Sequence, residues 1–286
     1  MIGINGPEHA EYNVQLSRRR PSVTTAIETH GLTRIFDHVL AVDHVSLVVP
    51  NGMIFGLLGS NGAGKSTLIK MLTTLLPPTS GTARVAGYDV VRHAQLVRAR
   101  TGYVPQLVSA DSALTGRENL LLSARLYGLP RRERAQRIAD ALAFMDLDDA
   151  ADRLVRGYSG GMIRRLEIAL ALLHGPEVLF LDEPTVGLDP VARQTVWKRL
   201  EELRARGSTA ILLTTHDMEE AEVLCDRIAI LHRGSVQAEG TLADLRAQFG
   251  ATRLEDIFIH AASGASEPKG DYRAVARERR TAHRLG

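Results

Sequence analysis

Residues 44–59 read HVSLVV, PNG, MIFGLLG: two apolar runs of strand length on either side of a turn, the second predicting a buried strand. The pattern then changes to a helical run, KSTLIKMLTTLL, which Pro77 and Pro78 bring to an end. TARVAG and TGYV predict short strands. From Leu114 to about Leu154 apolar positions recur near the helical period with many Arg and Glu between them, so this stretch predicts mostly helix. Strand character returns in EVLFLD and TAILLTT. RIAILHRGSVQAEG predicts a hairpin turning at Arg233-Gly234, and Thr241 is placed to cap a last helix, LADLRAQF, closed by Gly250. There is no internal repeat. The alternation predicts an α/β core with a helical subdomain inserted near its middle. Residues 1 to about 25, ending in SRRRPS, read as a mobile arm, with contact to anionic lipid or a partner as the alternative. Residues 262–286, polar and basic with RERR near the end, predict a tail outside the core.

Composition narrows the class. The 286 residues suffice for one large α/β domain or two small ones, and 44% hydrophobic with 24% charged content suits an ordinary globular protein. No apolar run approaches the roughly 18 to 20 residues that span a bilayer, and the first residues do not resemble a signal peptide. A net charge of +2 gives no hint of a nucleic-acid partner. The single cysteine, Cys225, excludes an internal disulfide and suits a reducing cytosol. Among 35 basic residues only four are lysines, Lys65, Lys70, Lys198 and Lys269. A lysine at a special position is therefore informative, because arginine is the default cation of this chain.

Lys65 stands at such a position. Gly59-Ser60-Asn61-Gly62-Ala63-Gly64-Lys65-Ser66 fits G-x-x-x-x-G-K-[ST], after a predicted strand and before a predicted helix. Glycines let backbone N–H groups turn inward around an anion, and the helix start adds its positive dipole end. Lys65 can reach the β- and γ-phosphates, and the Ser66 hydroxyl can ligate Mg²⁺.

VLFLDEP ends an apolar strand in Asp182 and Glu183. In a phosphate-loop protein such an Asp holds the Mg²⁺, and Glu183 is then placed to orient or deprotonate an attacking water. Taken alone the pair reads equally as two solvated acids. TTHDM likewise puts His216 after a strand, where ligands bind in open parallel sheets; its ring can donate to a γ-phosphate, though a lone histidine is more often an ordinary surface or core residue. Gln106, after GYVP, is not distinguished by its position alone. RGYSGGM, residues 156–162, sets two glycines at the mouth of a helical run, a place that costs about 1 kcal/mol per glycine against alanine. A Ser159 helix cap and a phosphate site both account for it.

In this order GSNGAGKST, GYVPQ, YSGGM, VLFLDEP, VGLDP and TTHDM resemble the Walker A, Q-loop, signature, Walker B, D-loop and H-loop of an ATP-binding cassette (ABC) transporter nucleotide-binding subunit, over about residues 26–260. The resemblance implies an α/β P-loop NTPase fold of the ABC ATPase type: a mixed central sheet, an antiparallel β subdomain and an inserted α-helical subdomain at about 107–160. An arm at 1–25 and a basic tail at 261–286 flank it. It implies that Gly59, Ser60, Asn61, Gly62, Ala63, Gly64, Lys65, Ser66 and Thr67 bind ATP phosphates, that Ser66, Gln106 and Asp182 hold Mg²⁺, that Glu183 is the catalytic base, and that His216 senses the γ-phosphate. Phe36 aligns with an aromatic that stacks on adenine, more often Tyr. Ser159, Gly160 and Gly161 would contact the nucleotide of a second cassette, with Asp189 at the dimer interface. The partners implied are a second nucleotide-binding subunit, as a homodimer, and an integral membrane permease, docked beyond Gln106 through LTGRENL, which places this chain peripherally on the cytoplasmic face of a bacterial cell membrane.

YSGGM with RRLEIA, LFLDEPTVGLDP, LTGRENL and LEDIF is similar, more narrowly, to daunorubicin-resistance-type subunits serving type-2 permeases, which implies drug or antibiotic export; nearby relatives handle polysaccharides and nodulation-type oligosaccharides. Against the wider family, Tyr158 replaces Leu and Met162 replaces Gln, losing an amide. Ile163 and Leu170 stand where basic or polar residues are usual, which alters the surface contacts expected of the signature helix. A soluble ABC ATPase of translation or of chromosome and DNA repair is the competing reading, but such factors carry two cassettes or a long coiled coil, and Gln106 and Ser159 are only 53 positions apart. A P-loop kinase would leave YSGGM and GLDP unexplained.

Overall fold

The computed structural model describes residues 25–263. The arm expected at 1–25 and the tail expected at 261–286 lie, except for their innermost positions, outside the described residues.

Two sheets organise the chain. Strands β1 (Thr25–Phe36), β2 (Val39–Pro50), β4 (Ser80–Val85) and β5 (Tyr88–Asp89) form an antiparallel sheet in the order β2-β1-β4-β5. Strands β3 (Ile54–Leu58), β6 (Thr101–Val104), β7 (Val178–Asp182), β8 (Ala210–Thr215), β9 (Arg227–His232) and β10 (Ser235–Gly240) form the larger one, ordered β10-β9-β3-β8-β7-β6. Its strands pair in parallel except at the β9–β10 hairpin, so the central sheet is mixed. Every residue of β3, β7 and β8 is buried, as strands covered on both faces require.

Side chains alternate between the two faces. Phe55, Leu57, Phe180 and Leu212 join the core shared with the antiparallel sheet and helix α1 (Lys65–Leu72). Ile54, Leu179, Leu181, Ile211 and Leu213 point the other way. There they meet residues of α3 (Gly116–Leu126), α4 (Arg131–Phe144), α5 (Gly160–Leu172) and α6 (Pro190–Ala205). A third cluster packs Leu58, Ile228 and Ile230 against α7 (Met218–Leu224), α8 (Leu242–Phe249) and α9 (Leu254–Ser263). The short helix α2 (Ala94–Arg100) precedes β6. Because β3, β6, β7 and β8 are parallel, their C-terminal ends share one edge of the sheet. The loops carrying Gly59–Gly64, Gln106, Glu183 and His216 all leave from that edge.

Several local outcomes differ from the sequence pattern, among them the strand β5 and the helix α2, which it did not mark. The α1 helix stops at Leu72, before the prolines: Thr74 turns left-handed (φ 65°), and the Leu75 and Leu76 amides bond back to the Lys70 carbonyl. The strand β1 was hidden by register shifts between Thr25 and Ile27, Thr29 and Leu32, and Leu32 and Ile35, which break the period-two alternation. The helix α9 was not anticipated; it buries Leu254, Ile257 and Ala261. The Arg233-Gly234 hairpin and the Thr241–Gly250 helix with its caps appear where the pattern put them.

Candidate active site

The Gly59–Gly64 loop links β3 to α1 and is pinned by backbone bonds. Gly59 N–H donates to the Thr215 carbonyl (3.2 Å) and Ala63 N–H to the Ser60 carbonyl (3.1 Å). Gly234 N–H donates to the Ala63 carbonyl (2.9 Å), and Asp43 N–H to the Gly234 carbonyl (2.8 Å), so the hairpin turn clamps the loop to β2. Gly64 precedes the helix at φ 104°, and a Cβ there would run into the Ala41 carbonyl oxygen; only glycine fits. No side chain caps α1. The first-turn amides of Lys65, Ser66 and Thr67 have no intrahelical partner and lie at the positive end of the helix dipole, an arrangement suited to an anion. Ser60, Asn61 and Gly62 are exposed, Ala63 and Lys65 buried.

Glu183 is the hub of the site. Its Oε1 lies 3.4 Å from Lys65 Nζ and 3.2 Å from His216 Nδ1, and its Oε2 accepts from Gln106 Nε2 at 3.3 Å. Lys65 Nζ also donates to the carbonyls of Gly59 (2.7 Å) and Ser60 (3.2 Å), so its ammonium sits within its own loop. Glu183 holds a left-handed backbone (φ 51°), uncommon outside glycine, and its amide is tied to Thr214 Oγ1 at 3.0 Å. Asp182 accepts from Thr214 Oγ1 (2.6 Å) and Ser66 Oγ (3.1 Å). The charge of Asp182, after the larger effect of burial, raises the Tyr103 hydroxyl on β6 to about 12. With Nδ1 donating to Glu183, a neutral His216 ring leaves Nε2 as an acceptor; donation from Nε2 then uses the imidazolium.

The donors present fit Mg²⁺. Ser66 and Asp182 bring a hydroxyl and a carboxylate within 3.1 Å, and Gln106 adds an amide at the same sheet edge. Among the described residues no group of three or more His, Cys, Asp or Glu is placed to hold a metal alone. A few hard oxygens in an open site are what Mg²⁺ uses when substrate phosphates and waters complete its shell.

The remaining expected residues lie elsewhere. Phe36 ends β1, partly exposed, with the Arg34 guanidinium 4.6 Å from its ring centroid. That guanidinium is held in turn by the Pro77 carbonyl (3.0 Å). Ser159 caps α5, accepting from Met162 N–H at 3.3 Å. Asp189 caps α6 through the amides of Val191 (3.0 Å) and Ala192 (2.9 Å). Both Ser159 and Asp189 are exposed. A Cβ on Gly161 would come within 2.6 Å of the Ala192 Cβ, so this glycine lets α5 pass close to α6, whereas one on Gly160 would meet only a Leu188 methyl at 3.8 Å. Met162, Ile163 and Leu170 pack partly buried against the helical-side core, which accounts for their apolar character.

Sequence reasoning missed Thr214, which serves both Asp182 and Glu183. It also missed Glu220, 1% exposed, which accepts from Thr185 Oγ1 (2.7 Å) and Trp197 Nε1 (3.1 Å). Burial raises the Glu220 carboxyl against these bonds and one from Thr215. Its signal was an acid at a buried helical position in HDMEEAE.

The family model described as ABC transporter matches residues 42–186. The chain is 46% identical over 244 residues to a daunorubicin/doxorubicin resistance ATP-binding protein, DrrA, of Streptomyces peucetius, covering 85% of this chain and 73% of that one. It is 45% identical to a Nod factor export ATP-binding protein I of Sinorhizobium fredii, covering 81% and 67%. A solved structure of an ATP binding subunit of an ABC transporter superposes with a TM-score of 0.75 at 34% identity, covering 83% of this chain and 99% of that one. An ATP-binding cassette in its ADP conformation gives a TM-score of 0.71 at 24% identity over the same shares, a likeness of fold.

Proposed function

Because the chain belongs to the ABC transporter family, whose ATP-binding domains hydrolyse ATP, we propose that it powers an exporter from a site centred on Glu183. The observation that carries this reading is the convergence of Lys65, Gln106 and His216 on one carboxylate at the end of β7. The Gly59–Thr67 turn cradles the phosphates, Lys65 reaches the β- and γ-oxygens, and Phe36 offers its open face to adenine. Ser66, Gln106 and Asp182 would hold Mg²⁺, which neutralises charge building on the phosphates. Glu183 orients the attacking water and takes its proton, and His216 marks the γ-phosphate position. Substituting Glu183→Gln keeps shape and removes the base. ATP binding is expected to survive while turnover falls by at least about 10²-fold, with an ATP-bound dimer accumulating. Wild-type turnover in E183Q would refute the assignment.

The ATPase domain takes 26–260 in this reading, with 107–160 as its helical part, 1–25 as an arm and 261–286 as a tail. Its partners are a second copy, whose Ser159–Gly161 closes over this chain's ATP, and an integral membrane permease on whose cytoplasmic face this chain sits. Among the described residues no helix is long and apolar enough to cross a membrane. The identity to DrrA supports drug or antibiotic export, and the near-equal identity to the Nod factor protein supports an oligosaccharide cargo as the second reading. Co-expression with a six-span permease, followed by efflux of an anthracycline and of a lipo-oligosaccharide, separates the two cargoes. Failure to reach membranes with any permease, together with sedimentation with ribosomes, would sink both.

A further inference from the structure

One turn of α5 holds both ends of the segment that carries Gln106. Arg164 Nη1 donates to the carbonyl of Pro105, the residue just before Gln106, at 2.8 Å. Glu167 lies three positions on and so on the same helix face. It accepts from Ser109 N–H at 2.6 Å and from Ser109 Oγ at 3.1 Å. The two side chains pair with each other at 3.2 Å and are 9% and 1% exposed. Burial pushes the Arg164 guanidinium below its ordinary value, opposed by Glu167 and then by Asp182 and Glu220. Between its two tethers the segment belongs to no helix or strand, and Leu107 and Val108 stand out in solvent.

A buried ion pair is a poor way to gain stability, since an apolar pair of similar volume usually does as well or better. What this pair does that an apolar one cannot is bind the backbone on both sides of Gln106. The Gln106 amide in turn reaches Glu183 at 3.3 Å. The same helix begins with Ser159, Gly160 and Gly161, one turn from Arg164.

We propose that Arg164 and Glu167 are positioning residues for hydrolysis, a two-point latch that fixes residues 105–109 to α5 and makes the placement of Gln106 against Glu183 follow the N-terminal end of that helix. The inference rests on the reading of Gln106 and Glu183 as part of the ATP site. Movement of α5, when its glycines meet a nucleotide, would then be felt at the chain's own Gln106.

Two full-length variants test it. The double change Arg164→Met with Glu167→Leu removes both charges and keeps apolar volume. The single change Arg164→Lys keeps the charge and gives up the rigid, planar guanidinium whose Nη1 serves Pro105 and Glu167 together. The readouts are kcat, ATP affinity by equilibrium binding, and amide hydrogen exchange over 105–109. For the double variant we expect affinity within about twofold of wild type, kcat lower by about tenfold to a hundredfold, and faster exchange at Ser109. A folded double variant with wild-type kcat overturns the latch, and so does a slower one with unchanged exchange over 105–109. If the double variant does not fold, the Arg164→Lys protein decides: a several-fold loss of kcat with faster exchange supports the latch, and wild-type kcat overturns it. Lack of ATP binding by the wild-type protein would instead remove the site reading beneath the proposal.

Discussion

The helices α1 and α5 both begin beside glycine at the C-terminal end of a loop, and both present the positive end of a helix dipole. They differ in what surrounds that end. At α1 no side chain caps the helix, and Lys65, Ser66, Asp182, Glu183, Gln106 and His216 are bonded around it. At α5 the Ser159 hydroxyl caps its own helix and Gly161 makes room for Ala192, while Ser159 and Gly160 face solvent. One end is enclosed by chemistry from its own chain. The other is capped and packed by its own chain and left open to solvent, which suits the proposed closing over a second chain's nucleotide.

The sharpest way to break this comparison is to injure each end and ask what is lost. Replacing Lys65→Met removes the ammonium that serves the loop and Glu183. ATP affinity and turnover should both drop, turnover on the order of 10²- to 10³-fold, the scale of one lost charge-stabilising donor. Replacing Ser159→Arg puts a bulky cation at the exposed end of α5. Turnover should fall comparably while ATP binding by the chain stays near wild type. Equilibrium nucleotide binding and steady-state hydrolysis on both proteins check the contrast. If S159R loses ATP binding as K65M does, the α5 end belongs to the chain's own site and the two-chain reading fails.

The two ends also differ in how far sequence alone exposed them. The α1 site is local: Gly59 to Ser66 are consecutive, and the strand before and helix after are plain from apolar runs. Asp182, Glu183 and His216 were marked as candidates by the ends of apolar strands and given roles by the phosphate loop and the resemblance of the motif order, and parallel pairing brings those ends together. Thr214 and the Arg164–Glu167 pair were not found, because their partners are 32 and 58 positions away and nothing local marks them, while Glu220, whose partner Thr185 is 35 positions away, showed only as an acid at a buried helical position in HDMEEAE. The two glycines of SGGM were read as a pair, belonging to a Ser159-capped helix start or to a phosphate site. The structure divides them, since Gly161 answers to a helix that begins about thirty residues later in the chain. That part of the motif depends on packing between elements, which no spacing reveals.

This division predicts a smaller, purely structural difference between neighbours. A Gly161→Ala methyl would sit 2.6 Å from the Ala192 Cβ, and both belong to helices that pack on the same core. Relief needs a shift of α5 or α6, costing about 1 to 3 kcal/mol as overpacking does. Gly160→Ala meets only a Leu188 methyl at 3.8 Å and should leave stability near wild type. Urea denaturation of both variants measures the gap. The companion change Ala192→Gly should return most of the stability lost by Gly161→Ala and none of any turnover lost by Gly160→Ala.

The smallest expected effect concerns the residue just before the signature serine. Tyr158 stands where relatives often carry Leu, and its hydroxyl donates to the Ala150 carbonyl at 2.6 Å. The ring is 8% exposed, and its oxygen occupies the space that a Cβ on Gly116 would need. Tyr158 thus ties the entry of α5 by a side chain to the Ala150 carbonyl and lies against the start of α3, whereas the loop entering α1 is held by backbone bonds to the β9–β10 turn. Tyr158→Phe keeps the ring and loses one buried bond, so it should cost about 0.5 to 1.5 kcal/mol in denaturation, with nucleotide binding unchanged. Gly116→Ala in the wild-type background should cost more, because the new methyl runs into the hydroxyl. In the Tyr158→Phe background that clash is gone, so the double variant should be more stable than the sum of the two losses allows. Additive losses would mean that the hydroxyl does not set the residue at position 116, and that α5 is joined to α3 by packing alone.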